Sequence, residues 1–172
     1  MLLTTFFIIG CSTYHPATGE QGARPDDFSV EYEWREGSLP PPYHYAYTIT
    51  IKPSGQSEIV LTPDYPSAAV PKWAETFQGE EPNLNDLYRV MVENGLFTRR
   101  WRERDAPPVG GSNQTMVVTA RGKRITVEDY LVSEQQASAK VMYAAVQALV
   151  PKDVWERLEA RRKQYMQEHP RR

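Results

Sequence analysis

The sequence predicts an α+β fold, with an antiparallel sheet of about five strands and helices packed on one face. Three observations carry this expectation. Residues 28–61 alternate apolar and polar side chains with the period of two that marks half-buried strands. Later segments place apolar residues at helical spacing. The resulting order, β-β-β-α-β-β-α-α, lacks a regular βαβ repeat, so a doubly wound parallel sheet is excluded and helices gather on one side of an antiparallel one.

In chain order, Phe28, Val30, Tyr32 and Trp34 alternate with Ser29, Glu31, Glu33 and Arg35 as a first strand, which the run from Gly37 to Pro42 stops. Tyr43, Tyr45, Tyr47, Ile49 and Ile51 alternate with polar partners as a second. Pro53-Ser54-Gly55 is a turn, proline setting φ and glycine taking positive φ, and Ile59 to Leu61 return as a third strand. Residues 62–82 carry four prolines and read as a long connection, either functional or pinned by its own side chains. Asn83 and Asn85 are reasonable N-caps for a helix over about 84–94, with Leu84, Leu87, Tyr88 and Met91 on one face and Asn94-Gly95 as its stop. Residues 115–120 and 124–127 flank Arg121-Gly122-Lys123 as a second hairpin. Ser133 and Gln136 have capping-box spacing before a helix running to about Leu149, and Pro151 opens a last, charge-dense helix.

The chain has 172 residues, 40% of them hydrophobic, enough for one domain with a true core. Its net charge of −2 gives no global reason to expect a nucleic-acid partner. Cys11 is the sole cysteine, so no intrachain disulfide forms, and neither a metal nor any other cofactor is expected.

Residues 2–9 form an apolar stretch far shorter than the ~20 residues that span a bilayer. It runs into Ile8-Ile9-Gly10-Cys11, which resembles the bacterial lipobox. That resemblance implies a signal peptide over 1–10, cleavage before Cys11, and a diacylglyceryl group on its sulfur. Residues 1–10 lack the Lys or Arg that usually opens a signal peptide. One acyl chain anchors only marginally, so lipid modification at Cys11 supplies what stable anchoring needs. Residues 11–27, polar with Gly and Pro, read as lipidated cysteine and tether; 28–168 as the domain; 169–172 as a tail. By resemblance to Gram-negative sorting, Ser12 permits outer-membrane delivery; in another host, the outer face of the plasma membrane is expected.

No catalytic constellation stands out, and an enzyme is not expected. His15, His44 and His169 share no ligand or triad spacing, and His44 reads as a surface or lightly packed imidazole. The pairs Asp26/Asp27, Glu80/Glu81 and Glu128/Asp129 read as solvated charges, and Gly110-Gly111-Ser112 as a plain turn. Arg99, Arg100 and Arg102 around Trp101 are either a patch for an anionic partner or a strand edge whose arginines pair locally and block aggregation; the structural reading is preferred. Tyr43, Tyr45 and Tyr47 read as core, Trp73 in the long connection as the lip of a binding site, and the basic C-terminal helix as solvated.

The domain also resembles small bacterial lipoproteins of uncharacterised function, through Asn94 to Phe97, Val109 to Ser112 and Val150 to Trp155. This implies a fold type and no site residues. The expectation is a membrane-anchored, non-enzymatic envelope module that meets a protein or glycan. The rival is a hydrolase or carbohydrate-binding domain whose pocket is built from the 62–82 and 105–113 loops.

Overall fold

The computed structural model describes residues 22–106 and 110–170. It is an α+β fold with strands β1 (Ser29–Arg35), β2 (Ala46–Ile51), β3 (Gln56–Thr62), β4 (Trp73–Gln78), β5 (Asn113–Ala120) and β6 (Lys123–Glu128). The helices are α1 (Glu81–Glu93), α2 (Ser133–Ala148) and α3 (Lys152–Glu168). The strands form one sheet in the order β4-β3-β2-β1-β5-β6, antiparallel throughout. The chain winds outward from β1 to β4, crosses through α1, and adds the β5–β6 hairpin to the free side of β1. The 28–61 meander and the second hairpin are as expected; β4 lies within the stretch read as a connection.

Alternation decides which face is covered. Val30, Tyr32, Tyr47, Ile49, Ile51, Ile59, Leu61, Met116, Val118 and Val127 are buried on one face, under all three helices. Tyr88 of α1 meets Phe28 edge-on at 5.2 Å. Tyr143 of α2 packs on Tyr32 at 5.6 Å, and Trp155 and Tyr165 of α3 meet Tyr47 and Trp73.

Helix ends follow backbone chemistry more than the side chains expected to cap them. Pro82 lies in the first turn of α1, where its missing N–H costs nothing, so the helix starts ahead of Asn83. Its other end is a Schellman motif: Gly95, at φ 77°, donates to the Val92 carbonyl, and Leu96 donates to that of Met91. The Ser133 capping box does not form. Ser133 is already helical, and Gln136 instead donates to the Leu131 carbonyl at 3.0 Å.

Contacts with the domain begin upstream of β1. Arg24 Nη2 donates to both oxygens of Glu81 at 2.7 Å, and its Nε to Asn85, tying this segment to α1. Asp27 accepts the amides of Gly122 and Arg121 at 2.6 and 2.7 Å. Those bonds hold its carboxyl below the usual carboxylate range.

Beneath the sheet, side-chain hydrogen bonds link Gln114, Tyr32, Gln147 and Tyr47, and Tyr143 bonds separately to backbone. Tyr32 donates to Gln114 at 2.7 Å, Gln147 donates to Tyr32 and Tyr47, and Tyr143 donates to the Glu128 carbonyl at 2.7 Å. Burial pushes the Tyr32 hydroxyl up to about 12, and those of Tyr47 and Tyr143 upward as well. An unfolded tyrosine ionises near pH ~10. The neutral phenols therefore contribute stability that is complete below that value and lost as pH rises through the folded ones. In an ultraviolet titration at about pH 11, we expect these three tyrosines to stay neutral until far-ultraviolet dichroism reports unfolding. Complete ionisation of a still-folded chain would contradict their burial.

Candidate functional site

With all three helices on one side, the second face of the sheet faces outward. One row across it reads Ala74, Val60, Thr48, Glu33, Thr115 and Glu128; the next reads Thr76, Glu58, Thr50, Glu31, Val117 and Thr126. Threonine and small apolar groups dominate, and two of the four glutamates in these rows are paired with arginines. Arg35 pairs with Glu33 at 2.6 Å, Arg124 with Glu31 at 3.2 Å, and Thr115 donates to Glu128 at 2.9 Å.

At one end of this face, three loops converge. The ring of His44 lies parallel on that of Tyr65, centroids 3.9 Å apart and planes within 6°. Its Nδ1 is 3.3 Å from the Gly37 carbonyl, which can only accept, so in the neutral ring Nδ1 carries the hydrogen and Nε2 is the acceptor. Tyr65 in turn donates to the Leu39 carbonyl at 2.8 Å. His44 is thus buried at 6% exposure, not a surface imidazole, because a tyrosine from a distant loop covers it. Together with Glu33, Arg35, Thr48 and Lys72, the pair walls a hollow of about 350 Å³.

Beyond Arg35 a second hollow, of about 290 Å³, reaches Gly110, Gly111 and Tyr130. The backbones touch there: a Cβ on Gly37 would sit 2.7 Å from the Gly111 carbonyl oxygen. Tyr130 donates to the Ser112 carbonyl at 3.0 Å and fixes the glycine turn. The two loops named for a pocket therefore meet at Tyr65 and Gly110-Gly111. The chemistry they offer is hydrogen bonding, one imidazole and a mixture of charges.

Trp73, Trp101, Arg99, Arg100 and Arg102 lie elsewhere. Trp73 is in edge strand β4 and packs edge-on against Tyr165 at 6.2 Å. Trp101 is half-buried, its indole donating to the Leu96 carbonyl at 3.1 Å. Its segment runs beside residues 130–132, past the other edge strand, through Arg104 to Tyr130 and Val132 to Arg102 backbone bonds. Roughly 24 Å of sheet separates the two edges. Arg99 donates to Ser138, Arg102 lies 3.9 Å from Glu134, and Arg100 is exposed. Gln135 holds this segment in place, accepting from the Arg102 amide and donating to the Arg100 carbonyl at 3.0 and 2.8 Å. Nothing in the spacing around Gln135 announces that role. Cys11 lies outside the described residues.

Asp129, just after β6, is a carboxyl whose pKa is raised, by burial, against hydrogen bonds from Gln114. It lines neither hollow. Among the described residues, no three His, Asp or Glu side chains gather as metal ligands.

A third concavity lies under the opposite end of the sheet, between the end of α1 and the β5–β6 hairpin. It encloses about 250 Å³, with Tyr88, Val92, Phe97 and Ile125 as walls and Arg121 and Lys123 at the hairpin side.

No protein-family model matches the chain, and no curated protein matches it.

Proposed function

We propose that this chain is a bacterial envelope lipoprotein, held to a membrane by lipid on Cys11, whose α+β domain is a non-enzymatic binding module for an envelope protein. The observation that carries the reading is the apolar run ending in Ile8-Ile9-Gly10-Cys11, at the only cysteine in the chain. Two features of the domain support it. Arg24 and Asp27 fix the chain's entry at the end of the sheet opposite the converging loops, leaving those loops free to meet a partner. The outward face is broad, with Glu33 and Glu31 paired to Arg35 and Arg124, and the large aromatics are mostly engaged beneath the sheet. If the host is Gram-negative, Ser12 fits delivery to the outer membrane.

The decisive experiment is Cys11→Ser in the producing bacterium, with metabolic labelling by an alkyne fatty acid. The parent chain is expected to label and to sediment with membranes. The variant is expected to lose the label, stay uncleaved and lose its lipid-dependent membrane attachment. Equal labelling of the two would end the reading. Crosslinking in intact cells then identifies the partner. Capture of a glycan in place of a protein would favour carbohydrate binding, the reading to which the meeting of the loops at Tyr65 and Gly110-Gly111 lends support.

A further inference from the structure

The concavity between α1 and the β5–β6 hairpin differs in kind from the two hollows at the loop end. Its walls are Tyr88, Val92, Phe97, Ala120 and Ile125 with Thr98 beside them, largely apolar but for the phenol and one hydroxyl. Tyr88 and Phe97 are held against each other at 5.5 Å, and Tyr88 is braced from behind by Phe28. The aromatic wall is therefore preformed. At about 250 Å³, the space lies just below the ~300 Å³ at which whole-ligand pockets begin. It suits one narrow apolar chain better than a bulky ring system.

The hairpin side of the opening supplies two cations, Arg121 and Lys123. Asp27 accepts the Arg121 and Gly122 amides, which lock this turn, and the Arg121 charge also acts on that carboxylate, so Lys123 is the cation that the opening offers to a ligand. An apolar slot with cations at its edge is complementary to an anion that ends an alkyl chain.

We propose that this groove binds a single-chain anionic amphiphile of the fatty-acid class. The alkyl chain lies between Val92, Phe97 and Ile125, and the carboxylate sits beside Lys123. The site is on the same end of the domain as Arg24 and Asp27, where the chain from Cys11 enters, but it does not depend on lipid at Cys11.

The test uses the full-length chain as Cys11→Ser, unlipidated, with decanoate below its micellar concentration. Binding is followed through the methyl resonances of Val92 and Ile125. Saturable shifts at both methyls are expected, with decanoate binding at least about tenfold tighter than decanol, a gap of ~1.4 kcal/mol. Each methylene added from hexanoate upward should tighten binding by about fourfold until the groove is full. Lys123→Glu, at an exposed turn, should erase the preference for decanoate over decanol, and Val92→Trp should block both ligands. Absence of saturable shifts, or an unchanged preference in Lys123→Glu, overturns the proposal. Stronger binding of decyltrimethylammonium than of decanoate would do so too.

Discussion

Phe28→Ala is expected to lower stability by about 3–5 kcal/mol, the range for emptying a fully buried aromatic site. For a chain of this size that corresponds to a fall in Tm of roughly 6–20 °C. Phe28 is 1% exposed, and its ring is the edge-on partner of Tyr88, which packs in turn on Phe97. It stands one residue before β1, where the entering chain, α1 and the sheet meet. Deleting the ring leaves a cavity at that junction, and the paired strands on either side resist collapse into it. Thermal unfolding followed by circular dichroism measures the effect, and Phe28→Leu should recover much of the loss. A shift of only a degree or two in Phe28→Ala would mean that this junction is not part of the cooperative core.

Gly55→Ala is the second large effect. Gly55 closes the β2–β3 turn at φ 81°, a left-handed geometry that costs an L-residue about 1–2 kcal/mol. Its Cβ would also lie 2.5 Å from both the Gly79 carbonyl oxygen and the Gln78 amide nitrogen. The side chain can swing away. The carbonyl cannot, because the Gly79 amide donates to the Gly55 carbonyl at 2.8 Å and Leu84 packs close by. A total of roughly 3 kcal/mol is expected. Gly122→Ala is the matched control, since Gly122 has φ 69° and open space where the Cβ would go. It should show the left-handed cost alone. Equal losses in the two variants, by urea unfolding, would remove the argument from close approach.

Gly55 and Gly95 show what a sequence makes legible. Turn chemistry at Pro53-Ser54-Gly55 and the period of two on either side are local, so the meander and its turn could be read directly. The Asn94-Gly95 stop could be read for the same reason. Strand β4 could not. Trp73, Glu75 and Phe77 do alternate with Ala74, Thr76 and Gln78, but the helix-facing set contains a glutamate, which breaks the apolar stripe. That glutamate is explained only by α3, where Arg157 and Arg161 reach it at 3.1 and 3.5 Å. Upstream prolines completed the disguise. His44 was illegible for a related reason: its burial is made by Tyr65, 21 positions along. Gln135 likewise acts on backbone more than thirty residues away. Contacts of long sequence separation carry no local pattern, and the loops converge through such contacts, Tyr65 on His44 and on Leu39 among them.

The order of attachments at the start of the domain has a mechanical consequence. A pull on the N-terminal side of the chain reaches Arg24 first, gripped by Glu81 and Asn85, and then Asp27, latched to the hairpin turn. Only after both does load arrive at Phe28 and at β1, which is bonded along its length to strands on both sides. These anchors act in series as a strain relief. Modest tugs are absorbed by two polar grips that re-form when the tension drops, and the central strand is shielded from peeling.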